Sequence, residues 1–256
     1  MKVLTIHSFA IHGTASLKAF LSLLGSRVLP VPSLTLTGLT NLPGHQKVAV
    51  DLPALLEGSL TLARHRGERL LMYVGYLGDA GQAGQIAALY EAFRNQIEAL
   101  IVDPVSGDHG RTYVPDPVMA AWPQLLALAD WALPNFHELQ LYAGTPPGSD
   151  PEAVVAAFRV RYPALRLLCT SFPGAAGQLG VRYQGPDGRH THVHEALLRH
   201  YGGTGDVFAA HFLHYHFFQQ RPLPAAIAQS AVGTLDIMRR SGAAGSPDLL
   251  LPGALE

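Results

Sequence analysis

The sequence predicts an α/β fold on a mostly parallel sheet, because short apolar runs alternate with longer amphipathic stretches. The runs at 3–6, 27–31, 70–74, 99–102 and 165–169 are largely apolar, as strands buried on both faces are. Helical candidates at 16–24, 53–64, 84–95, 117–126 and 151–161 separate them, in the βαβ manner with right-handed crossovers. In such sheets ligands bind beyond the carboxyl ends of the strands. The residues there are polar or glycine-rich in this chain, which sets candidate ligand groups along one rim.

The opening stretch, MKVLTIHSFAIHG, has too short an apolar segment for a signal peptide and no convincing cleavage site. It reads as a first buried strand that ends near His7 and Ser8. The run at 70–74 leads into Gly75-Tyr76-Leu77-Gly78, that at 99–102 into Asp103, and that at 165–169 into Thr170 and Ser171. Segment 178–194 alternates apolar and polar residues around Gly185-Pro186-Asp187-Gly188, the pattern of an antiparallel hairpin. Helices are expected at 206–219 and 224–240, and the tail from Ser241, rich in Gly, Ala and Pro, is expected to be irregular.

The 256 residues suffice for one large domain with a substantial core. No Ser-rich, Gln-rich or strongly charged stretch divides them, so a single domain over 1–256 is expected. The chain has 18 Lys and Arg against 19 Asp and Glu, without basic clusters, and so offers no broad surface to nucleic acid. No uninterrupted apolar stretch reaches the roughly eighteen residues of a membrane span. The single cysteine, Cys169, excludes an internal disulfide and agrees with a reducing cytoplasm. Its neighbours Leu167 and Leu168 suggest a buried structural thiol.

The most informative stretch is Tyr201-Gly202-Gly203-Thr204-Gly205-Asp206-Val207-Phe208, where glycines run directly into an apolar helix. Glycines let the backbone approach a ligand, and the first N–H groups of a helix then point at an anion, for which a phosphoryl group is the natural occupant. Asp206 could accept the proton of a substrate hydroxyl while surrounding amides stabilise charge on the transferring group. The plainer reading is a turn in which Asp206 only caps the helix. No Gly-x-x-x-x-Gly-Lys-Ser/Thr sequence occurs, so an ordinary P-loop is not the phosphate site.

Gly203-Thr204-Gly205-Asp206 resembles, residue for residue, the Gly-x-Gly-Asp element of the ribokinase-like superfamily. Three further segments narrow the likeness to its vitamin B6 kinase branch. Asp103-Pro104-Val105-Ser106-Gly107-Asp108-His109-Gly110 resembles an Asp-Pro-Val-Met-Gly-Asp element, with Ser106 in the methionine position. Pro134-Asn135-Phe136-His137-Glu138 resembles a Pro-Asn-x-x-Glu element, and Gly75-Tyr76-Leu77-Gly78 a Gly-Tyr-Leu-Gly. The likeness runs, with gaps, from about Val3 to Arg240.

This resemblance implies a ribokinase-like three-layer αβα sandwich, a homodimer, and ATP-dependent phosphorylation of the 5′-hydroxymethyl group of pyridoxal, pyridoxine or pyridoxamine. It implies an anion hole at Gly203, Thr204 and Gly205, with Asp206 as catalytic base. Asp103 and Glu138 would help hold Mg²⁺ and its waters near the nucleotide phosphates, which suits an ion that takes oxygen ligands and keeps waters. Segment 107–115 resembles a flap over ATP, with Asp108 and Tyr113 touching nucleotide or substrate. Its two glycines and few apolar residues allow mobility, and closure would exclude water. Thr170 and Ser171 match a phosphate-contacting pair in some members. The plainer alternatives are a capping role for Asp103, an exposed helix carboxylate at Glu138 and an ordinary surface loop at 107–115.

For the acceptor, the resemblance nominates Ser8 as partner of the pyridine ring and Thr40 and Tyr76 as walls. The chain departs from its relatives in carrying His7, where glutamine or asparagine-like groups are common, and Leu39, where a histidine precedes the threonine. The contacts that distinguish one ring from another therefore differ. Leu133 stands where many relatives have a threonine that helps bind a monovalent cation; leucine lacks that side-chain oxygen, so K⁺ dependence is in doubt.

His190, His192 and His194 would share one strand face and could bind zinc. A solvated edge strand is the plainer reading. His211 and His214 share a helical face and read as structural or interfacial, and Phe208, Phe212 and Tyr215 as core. Two other functions stand beside the leading one. Leu17-Lys18-x-Phe20 followed by Leu24-Gly25 resembles hydroxymethylpyrimidine kinase, whose anion-hole motif usually ends in cysteine where this chain has Asp206. A non-catalytic sensor would bind vitamers or nucleotide without turnover, against which Asp103, Glu138 and Asp206 argue.

Overall fold

A computed structural model describes residues 1–40 and 42–255. Among them the strands are β1 (Lys2–His12), β2 (Val28–Gly38), β3 (Lys47–Ala49), β4 (Leu70–Val74), β5 (Ile97–Val102), β6 (Gly107–Asp108), β7 (Arg111–Thr112), β8 (Trp131–Ala132), β9 (Arg166–Pro173), β10 (Gln178–Gly185) and β11 (Gly188–Glu195). The helices are α1 (Leu17–Leu24), α2 (Leu52–His65), α3 (Gly81–Ala92), α4 (Asp116–Leu126), α5 (Phe136–Ala143), α6 (Pro151–Arg161), α7 (Thr204–Phe212) and α8 (Leu223–Ala243). The chain divides into two compact units, one of Met1–Leu70 with Leu197–Glu256 and one of Leu71–Ala196.

In the first unit β1 pairs in parallel with β2, and β3 is added antiparallel at the edge. The core includes Leu4, Ile6, Phe20, Leu23, Leu36, Leu52 and Phe212, all fully buried. Strand β2 runs well past the expected 27–31, although Pro30 and Pro32 lie inside it. Proline cannot donate to a ladder and is tolerated where one side of a strand is unpaired. Strand β3 covers only Leu34 to Leu36, so the prolines stand on that open side. The last expected helix but one is split: α7 gives way to a π-turn over Leu213–Phe218, where the Phe212 and His216 rings stack 5.1 Å apart.

In the second unit the strand order is β11-β10-β9-β8-β5-β4. The pairs β5–β8 and β8–β9 are parallel, and the hairpin β10–β11 continues the sheet antiparallel, as expected from 178–194. Fully buried Tyr73, Trp122 and Phe158 belong to its core. The short β8 and α5 were not expected as elements, whereas α6 begins on Asp150, which accepts a hydrogen bond from the Ala153 N–H as a helix cap. The α/β expectation with a mostly parallel sheet flanked by helices holds. The tail is irregular from Ala244, later than expected, and Leu250 N–H donates to Ser241 Oγ at 2.8 Å.

Candidate active site

In the first unit the glycine run leads into the first turn of α7. Gly203, the residue before α7, has φ +89°, and a Cβ there would stand 2.8 Å from Cα of Ala15. Only glycine permits that conformation and that approach. At Gly205, in the first turn of α7, a Cβ would meet no atom within 4 Å among the described residues outside its own turn, so there is room for a group beside this turn. Asp206 is buried and does not cap its own helix. Its Oδ2 accepts from the Ser16 N–H at 2.7 Å, and its Oδ1 lies 2.9 Å from His7 Nε2. Ser8 Oγ donates to Ser16 Oγ at 2.8 Å, and the Ser8 N–H to His7 Nδ1 at 2.9 Å. His7, Ser8, Ser16 and Asp206 thus form a closed ring of polar groups, all buried.

Ser16 is the member that the sequence did not flag. Its backbone sits at φ 59°, ψ −137°, a conformation costly for any residue with a side chain, and strain of this kind gathers at functional sites. The strain turns its N–H toward the Asp206 carboxylate. Thr40 is half-buried beside Leu39, whose side chain fills the room left by Gly13 and approaches Gly202. Leu39 therefore lies against both Gly13 and Gly202, and Thr40 follows it in the chain.

In the second unit the acidic residues meet. Asp103 follows β5 and accepts from Tyr73 Oη at 2.8 Å. Glu138, in the first turn of α5, is buried; its Oε1 accepts from the N–H groups of Ser106 (2.8 Å) and Gly107 (3.3 Å), and its Oε2 from the Asn135 N–H (3.0 Å). Asn135 returns a bond to the Glu138 N–H, which makes a capping box. Burial, and then the nearby Asp103 charge, push the Glu138 carboxyl well above the ordinary range, while the three amides act against this. Ser106 Oγ is hydrogen-bonded to Tyr142 Oη, a partner that the methionine of the resembled motif could not offer.

Segment 107–115 forms a small hairpin of β6 and β7, turned by His109 (φ 49°) and Gly110 (φ 77°). Asn135 Nδ2 donates to the Gly107 carbonyl at 2.8 Å, so the root of this hairpin is tied to α5. Asp108 lies in β6, its carboxylate 3.3 Å from His109, and Tyr113 is half exposed, its N–H on the Ser106 carbonyl. Thr170 and Ser171 both stand opposite the single Val181 of β10, a bulge in which Ser171 takes φ 51°. Tyr76 is buried after β4, and its hydroxyl pKa is raised by that burial. Leu133 is buried, and burial pushes the Cys169 thiol well up, which makes it inert.

A carboxylate pair with only oxygen donors fits Mg²⁺, which is held by one or two carboxylates together with phosphate oxygens. The mutual repulsion of Asp103 and Glu138 is what a divalent cation would relieve. Among the described residues no group of three His, Cys, Asp or Glu could hold a metal ion by itself, the 190–194 histidines included. His211 packs against Gly233 of α8 with its Nδ1 on the Val207 carbonyl, a structural role.

The fold and the relatives mark an α/β kinase that acts on small molecules. Pyridoxal kinase from Lactobacillus plantarum has the same fold, with a TM-score of 0.81 and 25% identity over 98% of this chain and 92% of that one. Pyridoxal kinase from Leishmania donovani, solved with ADP and pyridoxamine, superposes with a TM-score of 0.81 at 24% identity, over 98% of this chain and 90% of that one. No family model matches the chain. A pyridoxine/pyridoxal/pyridoxamine kinase from Bordetella bronchiseptica is 32% identical over 247 residues, covering 90% of this chain and 85% of the relative. The chain belongs to the vitamin B6 kinase family of the ribokinase-like superfamily.

Proposed function

We propose that residues 1–256 act as one kinase domain that transfers a phosphoryl group from ATP to the 5′-hydroxymethyl group of a B6 vitamer, with Asp206 as base. The observation that carries this is the carboxylate of Asp206, which is held by groups outside its own helix rather than used to cap it. Each of its oxygens has two lone pairs, so one partner apiece leaves acceptor capacity for a hydroxyl proton. The amides at Gly203, Thr204 and Gly205 supply the donors for charge on the transferring group, and the open room at Gly205 lets that group approach. Ser8 and Thr40 serve the acceptor, as do Tyr76 and Tyr113. Thr170, Ser171 and Asp108 serve the nucleotide. Asp103 and Glu138 would hold Mg²⁺, which when bound offsets charge on the phosphates. The complex of the Leishmania kinase with ADP and pyridoxamine supports both ligand classes.

ADP formation with pyridoxal, pyridoxine, pyridoxamine, hydroxymethylpyrimidine and simple sugars tests the reading. Turnover is expected with the B6 alcohols, and Asp206→Asn is expected to lose about a hundredfold or more while still binding ATP. Turnover with hydroxymethylpyrimidine alone, or vitamer binding without ADP formation, would replace this reading with one of its two alternatives.

A further inference from the structure

We propose that His7 is a positioning residue for the catalytic base, donating Nε2–H to Asp206 and so fixing the carboxylate for the acceptor hydroxyl. The inference rests on the kinase reading above and adds to it a residue whose role in the reaction that reading leaves open.

The chemistry of the ring decides the direction of the bond. The Ser8 N–H donates to His7 Nδ1 at 2.9 Å, and a backbone N–H has no lone pair to give. Nδ1 must then be the unprotonated nitrogen, and the neutral ring carries its proton on Nε2. That nitrogen stands 2.9 Å from Asp206 Oδ1 with its N–H bent off the line to the oxygen, an alignment that catalytic hydrogen bonds commonly gain only when substrate binds. The Ser16 N–H donates to the other oxygen at 2.7 Å, so the carboxylate has a polar neighbour at each end. His7 is 2% exposed and Asp206 8%, and in so dry a place a polar contact with a carboxylate is little screened.

The surrounding structure fixes the imidazole in its turn. The ladder between β1 and β2 shifts register between His7 and Phe9, and it is the Ser8 N–H at this irregularity that meets the ring. The Phe20 ring of α1 lies 6.3 Å from it, centre to centre. Ser8 Oγ then bonds Ser16 Oγ at 2.8 Å, which links the residue that orients the imidazole to the residue that grips the second oxygen. A displacement of the base by a fraction of an ångström is enough to slow a proton transfer, so the ring of four residues acts on turnover more than on binding.

Two substitutions separate this role from simple packing. The amide nitrogen of asparagine reaches the place of Nδ1 but falls short of the carboxylate; that of glutamine reaches the place of Nε2. His7→Asn is expected to lower kcat about tenfold or more, with KM for ATP and for the vitamer little changed, and His7→Gln to recover most of the loss. Parental kcat in His7→Asn, or equal losses in both variants, would overturn the proposal. Imidazole ¹⁵N spectra of the parent protein decide the matter without any substitution at His7: a protonated Nε2 is expected, and the opposite tautomer would overturn it. Should the parent form no ADP with any alcohol, the kinase reading itself fails and this role with it. Parental turnover in His7→Asn leaves that reading intact and removes His7 alone.

Discussion

Gly205 and Gly203 are two residues apart and answer to different demands. A glycine inside a helix costs roughly 0.5–1 kcal/mol relative to alanine, and an alanine methyl at 205 would touch nothing within 4 Å among the described residues outside its own turn. Gly205→Ala is therefore expected to stabilise the fold by up to about that amount and yet to lower turnover about tenfold or more, by filling the approach to the helix amides. Urea unfolding and ADP release on the same preparation check it; unchanged turnover would take Gly205 out of the anion hole. Gly203→Ala, by contrast, collides with Ala15 and is expected to fold poorly. Residue types near Asp206 were legible in the sequence because glycines before an apolar helix have a local meaning. Its partners were not, since Ser16 lies 190 positions away and meets it only when the start of α1 and the first turn of α7 are folded together.

The β6–β7 hairpin gives the expected flap a defined anatomy. Its root amides, Ser106 and Gly107, are bound by the buried Glu138, while its tip at His109 and Gly110 projects with both residues at positive φ. Amide exchange is expected to be slow at the root with or without ligand, and fast at the tip until an ATP analogue and a vitamer are both present. Equal exchange at the tip in both states would remove the lid. Longer elements were legible from apolar periodicity, as at β4 and α6, whose bounds match the expected 70–74 and 151–161. Strand β8 is two residues long and helix α5 eight, too short for a period to register. Helix α5 had a local signal all the same: Asn135 with Glu138 three residues on is a capping box, and reading those residues only as a family motif hid the helix that they start.

For the molecule as a whole, the raised Glu138 carboxyl links stability to pH. A group whose pKa is higher folded than unfolded contributes stability that is present below the ordinary carboxyl range and is lost as pH rises through the folded value. Each unit of such a rise corresponds to about 1.4 kcal/mol. Denaturant unfolding at a series of pH values is expected to show this decline, and Mg²⁺ with nucleotide to offset it. Glu138→Gln should flatten the slope and lower stability by about 1–3 kcal/mol at low pH, because its amide group would confront a backbone N–H that now has an acceptor. A slope unaltered by that substitution would place the titrating group elsewhere. The α/β architecture was readable from alternation along the chain, whereas this coupling arises only where β5 and α5 bring Asp103 and Glu138 together.

The different ties of Glu138 and Gly205 bear on descent. In a lineage that had ceased to phosphorylate anything, selection for folding alone would keep Glu138, since three backbone amides depend on it. Among the described residues no atom outside its own turn stands where a side chain at 205 would begin, so drift would favour any good helix former in place of Gly205. An idle descendant of this protein would thus go on displaying its acidic signature for a long time, and the glycine, an inconspicuous residue, would be the first to record the loss.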